Sequence, residues 1–373
     1  MTFLMDRVHN KKGNRMVEPI SSNSGAYDNM LTTASKRESK PNRNVLVTGG
    51  AGFIGSHLVQ ALLERGDSVT VIDDLSTGKY ENIAHLSSHR RFRFVKGDVA
   101  DGAALDKLER GVDVIFHLAA AVGVELILRD PVHTIRTNVM GTVAVLRAAL
   151  QNQAKVLLAS TSEVYGKGTR PEFSEDDDTL LGPTRKSRWS YAASKMSEEF
   201  LGFAYHQQYK LPVVMFRLFN TIGPRQTGEY GMVVPRFVEQ ALQGKPLRVY
   251  GDGGQSRCFC DVGDAIRAIV GLGESPKAVG QVFNIGSTRE ITIHDLAKKV
   301  LSLVGGDEEA IQFIPYEKAY QAGYEDMRRR FPDISRIKRL LGWEPKVSLE
   351  ETLLRVIEEK KTLFTRAAVR RSG

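Results

Sequence analysis

The sequence predicts an α/β fold in which a doubly wound parallel sheet is followed by a smaller mixed α/β lobe at the C-terminal end. Two observations predict it. Between residues 44 and 220, short β-branched and apolar runs alternate with stretches of helical spacing, the pattern of a parallel sheet covered by helices on both faces. After residue 220, Pro and Gly become frequent and the elements become short and mixed, which indicates a second lobe.

The individual elements follow one another regularly. A buried strand at residues 45–47 ends in glycines, and the spacing of Leu58, Ala61 and Leu62 predicts a helix over residues 57–65. The other predicted elements are strands at DSVTVIDD (67–74), FRFVKGDV (92–99), VDVIFHLAA (112–120) and KVLLAST (155–161), a short helix over 101–111 and a longer helix over 134–153.

The charge is concentrated at the N-terminal end. Residues 1–44 hold eight Lys/Arg and four Asp/Glu, so this segment contributes +4 of the net charge of +8. Residues 1–42 are rich in Ser, Asn and Lys and lack periodicity, so we expect a disordered leader there. The remaining charge is modest and suits a doubly anionic small ligand, and we expect no nucleic-acid partner.

The chain beyond the leader is predicted to hold two units. A first domain is expected over residues 43–220, a lobe that is partly interleaved with it over 221–357, and a basic tail over 358–373. No apolar run approaches the ~18 residues of a membrane span, and no secretory core is present, so we expect no membrane association and a cytoplasmic location. The acidic run at 174–179 is expected to be a solvated loop.

The two cysteines indicate no metal site. Cys258 and Cys260 are the only cysteines of the chain and lie two positions apart, which cannot supply a zinc ligand set. We expect both to be buried, reduced thiols.

A glycine-rich turn predicts a dinucleotide site and hence a Rossmann-like sheet. Gly49, Gly52 and Gly55 leave a predicted strand and open a predicted helix, the context in which such a motif cradles a pyrophosphate. Asp73 ends the second strand, where a carboxylate accepts hydrogen bonds from ribose hydroxyls and repels a 2′-phosphate, so NAD is expected rather than NADP. Asp74 adds charge in the same direction, and Asp98 either contacts the adenine or caps its strand end.

A tyrosine and a lysine suggest the chemistry. Tyr191 and Lys195 lie at i and i+4 on one face of a predicted helix. A phenol whose ordinary pKa is ~10 becomes a base near neutral pH only if its anion is stabilised, and a neighbouring ammonium and a positive nicotinamide ring can do this. The pair is therefore the candidate acid–base catalyst.

Six motifs carry a resemblance to a known family. In order, TGGAGFIG, HLAA, STSEVYG, YAASK, LFNTIGPR and GWEP resemble the extended short-chain dehydrogenase/reductase family of nucleotide-sugar epimerases, dehydratases and decarboxylases. The resemblance runs from about residue 44 to about residue 357. It implies that Tyr191 deprotonates the sugar 4-hydroxyl, that Lys195 assists it and holds the nicotinamide ribose, and that Thr161 hydrogen-bonds the same sugar oxygen.

The resemblance also implies further contacts. Besides the residues already named, it places the cofactor against Phe53, Ile54, Ser76, Gly78, Val99, Leu118, Ala119, Ala120 and Asn138. It places a nucleotide sugar, expected to be UDP-linked, against Asn220, Val234, Tyr250 and Arg257. Arg225 either contacts its phosphate or fixes the junction between domain and lobe. It further implies a homodimer, for which the Ala-rich helix around residues 143–150 is the expected interface.

The product depends on three residues. In the resemblance, the order Thr161, Ser162, Glu163 is similar to decarboxylases and dehydratases, and Arg330 is similar to an arginine that faces the sugar's acid end in UDP-glucuronate decarboxylases. Related arginines in epimerases grip the diphosphate, and Glu163 could equally cap the following turn. Decarboxylation is our first interpretation, with 4-epimerisation close to it, 4,6-dehydration third, and a non-enzymatic dinucleotide-binding protein as the alternative of another class.

Overall fold

A seven-stranded parallel sheet forms the centre of the fold in the computed structural model, with strand order β11-β6-β5-β4-β1-β2-β3. The structure describes residues 42–102, 105, 111–123, 127, 129–315 and 327–372. The strands of this sheet are β1 (Asn44–Thr48), β2 (Ser68–Asp73), β3 (Phe92–Lys96), β4 (Val114–His117), β5 (Lys155–Thr161), β6 (Val213–Leu218) and β11 (Val282–Ile285).

Helices cover both faces of the sheet because neighbouring residues of each strand point to opposite sides. Val45 and Val47 belong to one hydrophobic cluster and Leu46 to the other. The helices of the whole fold are α1 (Phe53–Glu64), α2 (Pro131–Asn152), α3 (Ser190–Tyr209), α4 (Val233–Leu242), α5 (Val262–Glu274), α6 (Ile293–Val304), α7 (Ser335–Leu341) and α8 (Leu349–Ser372). Helices α1 and α5 cover the first face, and α2 covers the second.

The chain leaves the sheet and later returns to it. After β6 it forms part of the lobe, and then β11 pairs with β6 in parallel, with Phe283 opposite Phe216. Ile266 and Ile269 of α5 belong to the same cluster as Leu58 and Leu62 of α1. A single cut at residue 220 therefore does not separate the elements of the sheet from those of the lobe.

The lobe has small sheets and its own core. Its strands are β7 (Thr221–Ile222), β8 (Leu247–Tyr250), β9 (Ser256–Cys258), β10 (Cys260–Asp261), β12 (Glu290–Thr292), β13 (Ile311–Ile314) and β14 (Arg329–Arg330). Phe237, Val249, Leu296 and Val356 are among the residues of a third hydrophobic cluster. Strand β14 pairs with β9 so that Arg330 lies opposite Arg257.

Several elements differ from their predicted bounds. Helix α1 begins at Phe53 rather than at residue 57, because the glycine turn is shorter than expected. One helix, α8, continues through the segment that we expected to be a separate basic tail. The leader at residues 1–41 and most of the short helix predicted over 101–111 lie outside the described residues. Within the described part of the chain, no helix is long and apolar enough to cross a membrane.

Candidate active site

The carboxyl ends of the strands surround a large cavity of about 500 Å³. Ligands of open parallel sheets bind at this edge, where the strand order reverses. Here the reversal lies between β1 and β4. The cavity is lined by every residue that we expected to bind cofactor or substrate or to act in catalysis, with the exception of Asn138.

The turn between β1 and α1 accepts only glycine at two positions. A Cβ atom on Gly55 would lie 2.1 Å from Gly49 O, and one on Gly49, whose φ is +71°, would lie 2.6 Å from Ala119 N. Helix α1 has no side-chain cap at Gly52, and its first residues line the cavity. Its free N–H groups and the positive end of its dipole therefore suit a pyrophosphate.

Asp73 lies where a ribose would sit. Its Oδ2 accepts from Ala51 N and its Oδ1 from Leu75 N, each at 2.9 Å. Each oxygen keeps a further lone pair for a ligand hydroxyl. Burial raises the pKa of Asp73, and the hydrogen bonds from the two N–H groups oppose this. The cavity thus combines a phosphate cradle with a carboxylate at the spacing that a dinucleotide requires.

Tyr191 and Lys195 project from α3 into the opposite side of the cavity. Both are buried, and Thr161 at the end of β5 hydrogen-bonds the Tyr191 hydroxyl. Thr161 also accepts from Glu163 N at 3.2 Å, which fixes the first turn after β5. A strand end and a helix face thereby bring the phenol, the hydroxyl and the ammonium together.

The electrostatic setting of Tyr191 differs from our expectation. We expected Lys195 to lower the pKa of the phenol. Instead, burial raises it, the carboxylates of Glu198 and Glu163 raise it further, and the Thr161 side chain and Arg330 oppose them. Burial is the largest cause. Lys195 Nζ also lies 2.7 Å from Glu198 Oε2, so this carboxylate offsets part of the positive charge beside the phenol.

Glu163 lies between two arginines. Its Oε2 is 2.6 Å from Arg188 Nη1 and its Oε1 is 2.6 Å from Arg330 Nη2. Burial alone would raise the pKa of Glu163, but the charges and hydrogen bonds of the two guanidinium groups lower it to about 2. Glu163 is therefore an anion at neutral pH and cannot act as a proton donor there. It also lies in the first turn of the short helix Ser162–Tyr165, but the cap of that helix is the Thr161 hydroxyl and not the Glu163 carboxylate.

Arg188 is the residue of this cluster that the sequence analysis missed. It lies in a short helix immediately before α3, three positions before Tyr191, and its side chain is only 6% exposed. Its guanidinium also lies over the Trp189 ring, 5.3 Å from the centroid. The sequence does contain a signal for it, because an arginine and a tryptophan directly precede the helix that carries Tyr191 and Lys195. An arginine at that position is not needed as a surface charge, so a role in the site was the alternative to consider.

Asn138 is a support rather than a cavity residue. Its Oδ1 accepts from Ala121 N at 2.9 Å, and its Nδ2 donates to Ser194 Oγ at 2.9 Å. Because these bonds engage both ends of the buried amide, Asn138 holds α2, α3 and the segment after β4 together.

The lobe supplies the other end of the cavity. Arg257 donates to Ser256 O at 2.7 Å, and Asn220 donates to Cys258 O at 3.4 Å. The Arg236 guanidinium lies over the Tyr250 ring, 4.3 Å from its centroid.

Arg225 connects the lobe with α1 and α8. Its backbone N donates to Glu359, and its Nη2 donates to Gln60 Oε1 at 2.7 Å. It also lines the cavity, so the geometry is compatible with both roles that the sequence left open.

The described residues contain no group of three or more His, Cys, Asp or Glu that could hold a metal ion. Cys258 and Cys260 are both free and buried, as expected. The acidic loop is a correction: Glu175 is 5% exposed and accepts from Asn284 N, so this part of the loop is not solvated.

The parallel sheet, the glycine cradle and the Tyr–Lys helix together define an extended short-chain dehydrogenase/reductase. Comparison with known proteins agrees. The chain is 43% identical over 317 residues to the UDP-N-acetyl-α-D-glucosaminuronate decarboxylase of Bacillus cytotoxicus, covering 85% of this chain and 97% of the relative. It is 39% identical to UDP-glucuronic acid decarboxylase 1 of Arabidopsis thaliana, covering 84% and 69%.

A solved structure is also similar. The UDP-glucuronic acid 4-epimerase of Bacillus cereus, in complex with UDP-glucuronic acid and NAD, matches with a TM-score of 0.77 and 33% identity, covering 86% of this chain and 99% of that one. The profile of the GDP-mannose 4,6-dehydratase family matches residues 46–356. The chain therefore belongs to the GDP-mannose 4,6-dehydratase family of nucleotide-sugar enzymes.

Proposed function

We propose that this chain is a UDP-hexuronate decarboxylase that uses NAD and transiently oxidises C4 of the sugar. The observation that carries the proposal is the position of Glu163 between Arg188 and Arg330, in the cavity that Tyr191 also lines. Two guanidinium groups share one carboxylate, so the cluster keeps a net positive charge. A second carboxylate, that of a hexuronate, is the ligand that such a cluster attracts.

Arg330 also has an unsatisfied donor. Its side chain is 9% exposed, and within the described residues its buried Nε has no hydrogen-bond partner. An incompletely paired guanidinium is costly in a buried site, and a second carboxylate beside it offsets part of that cost. The relatives at 43% and 39% identity are named for decarboxylation of UDP-linked uronates, which supports the same substrate class.

Each residue of the site has its own role in the proposed reaction. Tyr191 takes the proton of the sugar 4-hydroxyl, Thr161 hydrogen-bonds the same oxygen, and Lys195 supplies the positive charge that the phenolate needs. NAD bound at the glycine turn would supply the acceptor for the C4 hydride and its later return. The 4-ketone makes the C6 carboxylate a β-keto acid, so the C5–C6 bond breaks with loss of CO₂ and C5 is then reprotonated. Arg188 and Arg330 hold the carboxylate until it leaves.

The dinucleotide is held by the glycine turn and by Asp73. The carboxylate of Asp73 accepts from ribose hydroxyls and repels a 2′-phosphate, which favours NAD over NADP. Asp98 accepts from Ala100 N at 2.8 Å and also lines the cavity near the adenine side.

The test is the product. We expect UDP-glucuronate or UDP-N-acetylglucosaminuronate to release CO₂ and to give a product lighter by one carboxyl group, as measured by mass spectrometry. Tyr191→Phe should lower kcat by about 10²–10⁴-fold, whereas Tyr209→Phe, an exposed tyrosine on the same helix, should not. A product of unchanged mass and inverted C4 would contradict decarboxylation, and loss of water would indicate a dehydratase.

A 4-epimerase is the second candidate. It is favoured by the similarity to the UDP-glucuronic acid 4-epimerase, which also binds a uronate. The same assay separates the two reactions because only decarboxylation releases CO₂.

We also propose that the chain is a cytoplasmic homodimer. Free, buried cysteines suit a reducing compartment. On α2 and α3, Val132 is 76% exposed, Met140 50% and Phe200 70%. Large exposed apolar side chains on neighbouring helices are typical of an interface. The expected interface segment 143–150 belongs to α2 as well. Its Val145 and Leu146 are buried in the core, whereas Leu150 is 39% exposed.

A further inference from the structure

Glu198 is a buried acid that the proposed mechanism does not use. It lies on α3, seven positions after Tyr191 and three after Lys195, so the three side chains share one face of the helix. Glu198 and Lys195 are each 2% exposed, and Lys195 Nζ donates to Glu198 Oε2 at 2.7 Å. A buried carboxylate is costly unless it is paired and hydrogen-bonded, so this pairing is a strong local constraint on the lysine.

A line of buried polar contacts leads to the same carboxylate. The Thr142 side chain of α2 faces Glu198 and lowers its pKa, and the Thr142 hydroxyl lies 3.1 Å from His117 Nε2. Within the described residues, Glu198 Oε1 has no hydrogen-bond partner, so the Lys195 ammonium is the group that holds this carboxylate. His117 Nδ1 is in turn 2.7 Å from the hydroxyl of Thr48, the last residue of β1. Thr48 Oγ1 accepts from Ala119 N, which belongs to the cavity wall.

The bonds of this line share one direction. With His117 protonated on Nε2 only, Thr48 donates to His117 and His117 donates to Thr142. Burial lowers the pKa of His117 to about 3, with a smaller contribution from the charge of Lys195, so this histidine is neutral at physiological pH. The wall of α2 that faces Glu198 is thus tied to β1 and β4.

From this geometry we propose that Glu198 is a positioning residue that holds the Lys195 ammonium and sets how much of its positive charge reaches Tyr191. The proposal rests on the roles proposed above for Tyr191 and Lys195.

The charges around Tyr191 give the direction of the effect. Lys195 and Glu198 face it from its own helix, Glu163 from the turn after β5, and Arg330 from β14. Burial raises the pKa of Tyr191, and the negative charge of Glu198 raises it next, ahead of Glu163.

The groups that face Glu198 itself indicate that its charge can be removed without breaking another ion pair. They are Lys195, Thr142 and the neighbouring Glu199, whose charge adds to burial in raising the pKa of Glu198. Glu199 is itself paired with Arg217 at 2.7 Å. Removing the charge of Glu198 should therefore free the Lys195 ammonium for the phenol and lower the pKa of Tyr191.

The experiment measures the ionisation of Tyr191 directly. Full-length protein saturated with NAD carries tyrosine labelled with ¹³C at Cζ, and the Tyr191 resonance is assigned by its absence from Tyr191→Phe. In Glu198→Gln, which keeps the size of the side chain and removes its charge, we expect the Tyr191 pKa to fall by about one unit or more. The acid limb of the kcat–pH profile should move to lower pH by the same amount.

The control is Glu358→Gln, an exposed glutamate on α8, which should change neither readout. An unchanged or higher Tyr191 pKa in folded Glu198→Gln would overturn the proposal.

If Glu198→Gln does not fold, Thr142→Val serves instead. It removes a hydroxyl that favours the ionised form of Glu198 without removing a charged group. We expect a smaller downward shift of the Tyr191 pKa, and no shift would overturn the proposal. Because the resonance reports ionisation and not turnover, a failure of decarboxylation leaves this result intact and distinguishable.

Discussion

At the scale of single residues, Glu163 has the most strongly defined environment in the cavity. It meets one guanidinium from the helix that leads into α3 and another from β14 of the lobe. A pKa lowered from 4.5 to about 2 means that the folded chain stabilises its ionised form by roughly 3 kcal/mol. Glu163 therefore contributes to stability as well as to the charge of the substrate site.

We expect Glu163→Gln to lower the free energy of unfolding at about pH 7 by roughly 3 kcal/mol. The pKa of Glu163 is lower in the folded than in the unfolded chain, so its stabilising effect is complete above the unfolded value of 4.5 and is lost as the pH falls towards 2. Urea unfolding of both proteins should show a difference that shrinks as the pH falls below about 4.5. The exposed Glu81→Gln is the control. A pH-independent difference would contradict the ion-pair explanation.

The sequence predicted some of these residues and not others, for a physical reason. Asp73, Tyr191 and Lys195 follow from local spacing, because a strand end or one helix turn fixes their direction. The Arg188–Glu163–Arg330 cluster forms only because the lobe packs with Arg330 against the turn after β5. The distance between residues so far apart in the chain cannot be read from a local sequence pattern.

For Glu198, the local spacing was visible in the sequence but its burial was not. This residue lies next to Lys195 in helical spacing, but acidic residues at that spacing are ordinary on helix surfaces. Only the burial of this face of α3 turns the pair into a constraint on the catalytic lysine.

At the scale of elements, the strand–turn–helix unit of β1 and α1 is the most tightly determined. Its close approach involves backbone atoms, which cannot move aside as the end of a side chain can. Its motif, strand and helix were all predicted from sequence, because each depends on neighbouring residues alone.

We expect Gly55→Ala to destabilise the protein by about 1–3 kcal/mol and to weaken NADH binding more than tenfold, since the added Cβ would meet Gly49 O at 2.1 Å. Gly254→Ala is the control, because its nearest atom, Asp252 Oδ1, lies 3.4 Å from the added Cβ. Thermal unfolding and a fluorescence titration with NADH measure the two effects. Normal binding by Gly55→Ala would show that the turn does not hold the cofactor.

At the scale of the whole molecule, the exposed apolar residues of α2 and α3 make a dimer prediction. One chain has a mass of 41.4 kDa, and light scattering should give twice that value. Phe200→Glu should shift the protein towards a monomer because a buried charge would oppose association.

The matched substitution is Leu354→Glu on α8, where a 47% exposed leucine lies on a different surface and should have no effect. A wild-type monomer at micromolar concentration would contradict the prediction.

The interleaving of sheet and lobe was only partly foreseeable. The change in rhythm after residue 220 located the lobe, but the run at Val282–Ile285 is short and apolar and carries no signal of its partner strand. Its place beside β6 is decided by long-range packing, with Phe283 and Ile285 in the same cluster as Phe216.

The late return of β11 has a consequence for synthesis. While the ribosome is still producing the lobe, β6 is an open edge of the growing sheet, with unpaired N–H and C=O groups. Domains generally fold in order of emergence, but here the final strand of the first core arrives only after the first part of the second core has been translated. The nascent chain must therefore keep that edge from pairing with other chains until residue 285 emerges.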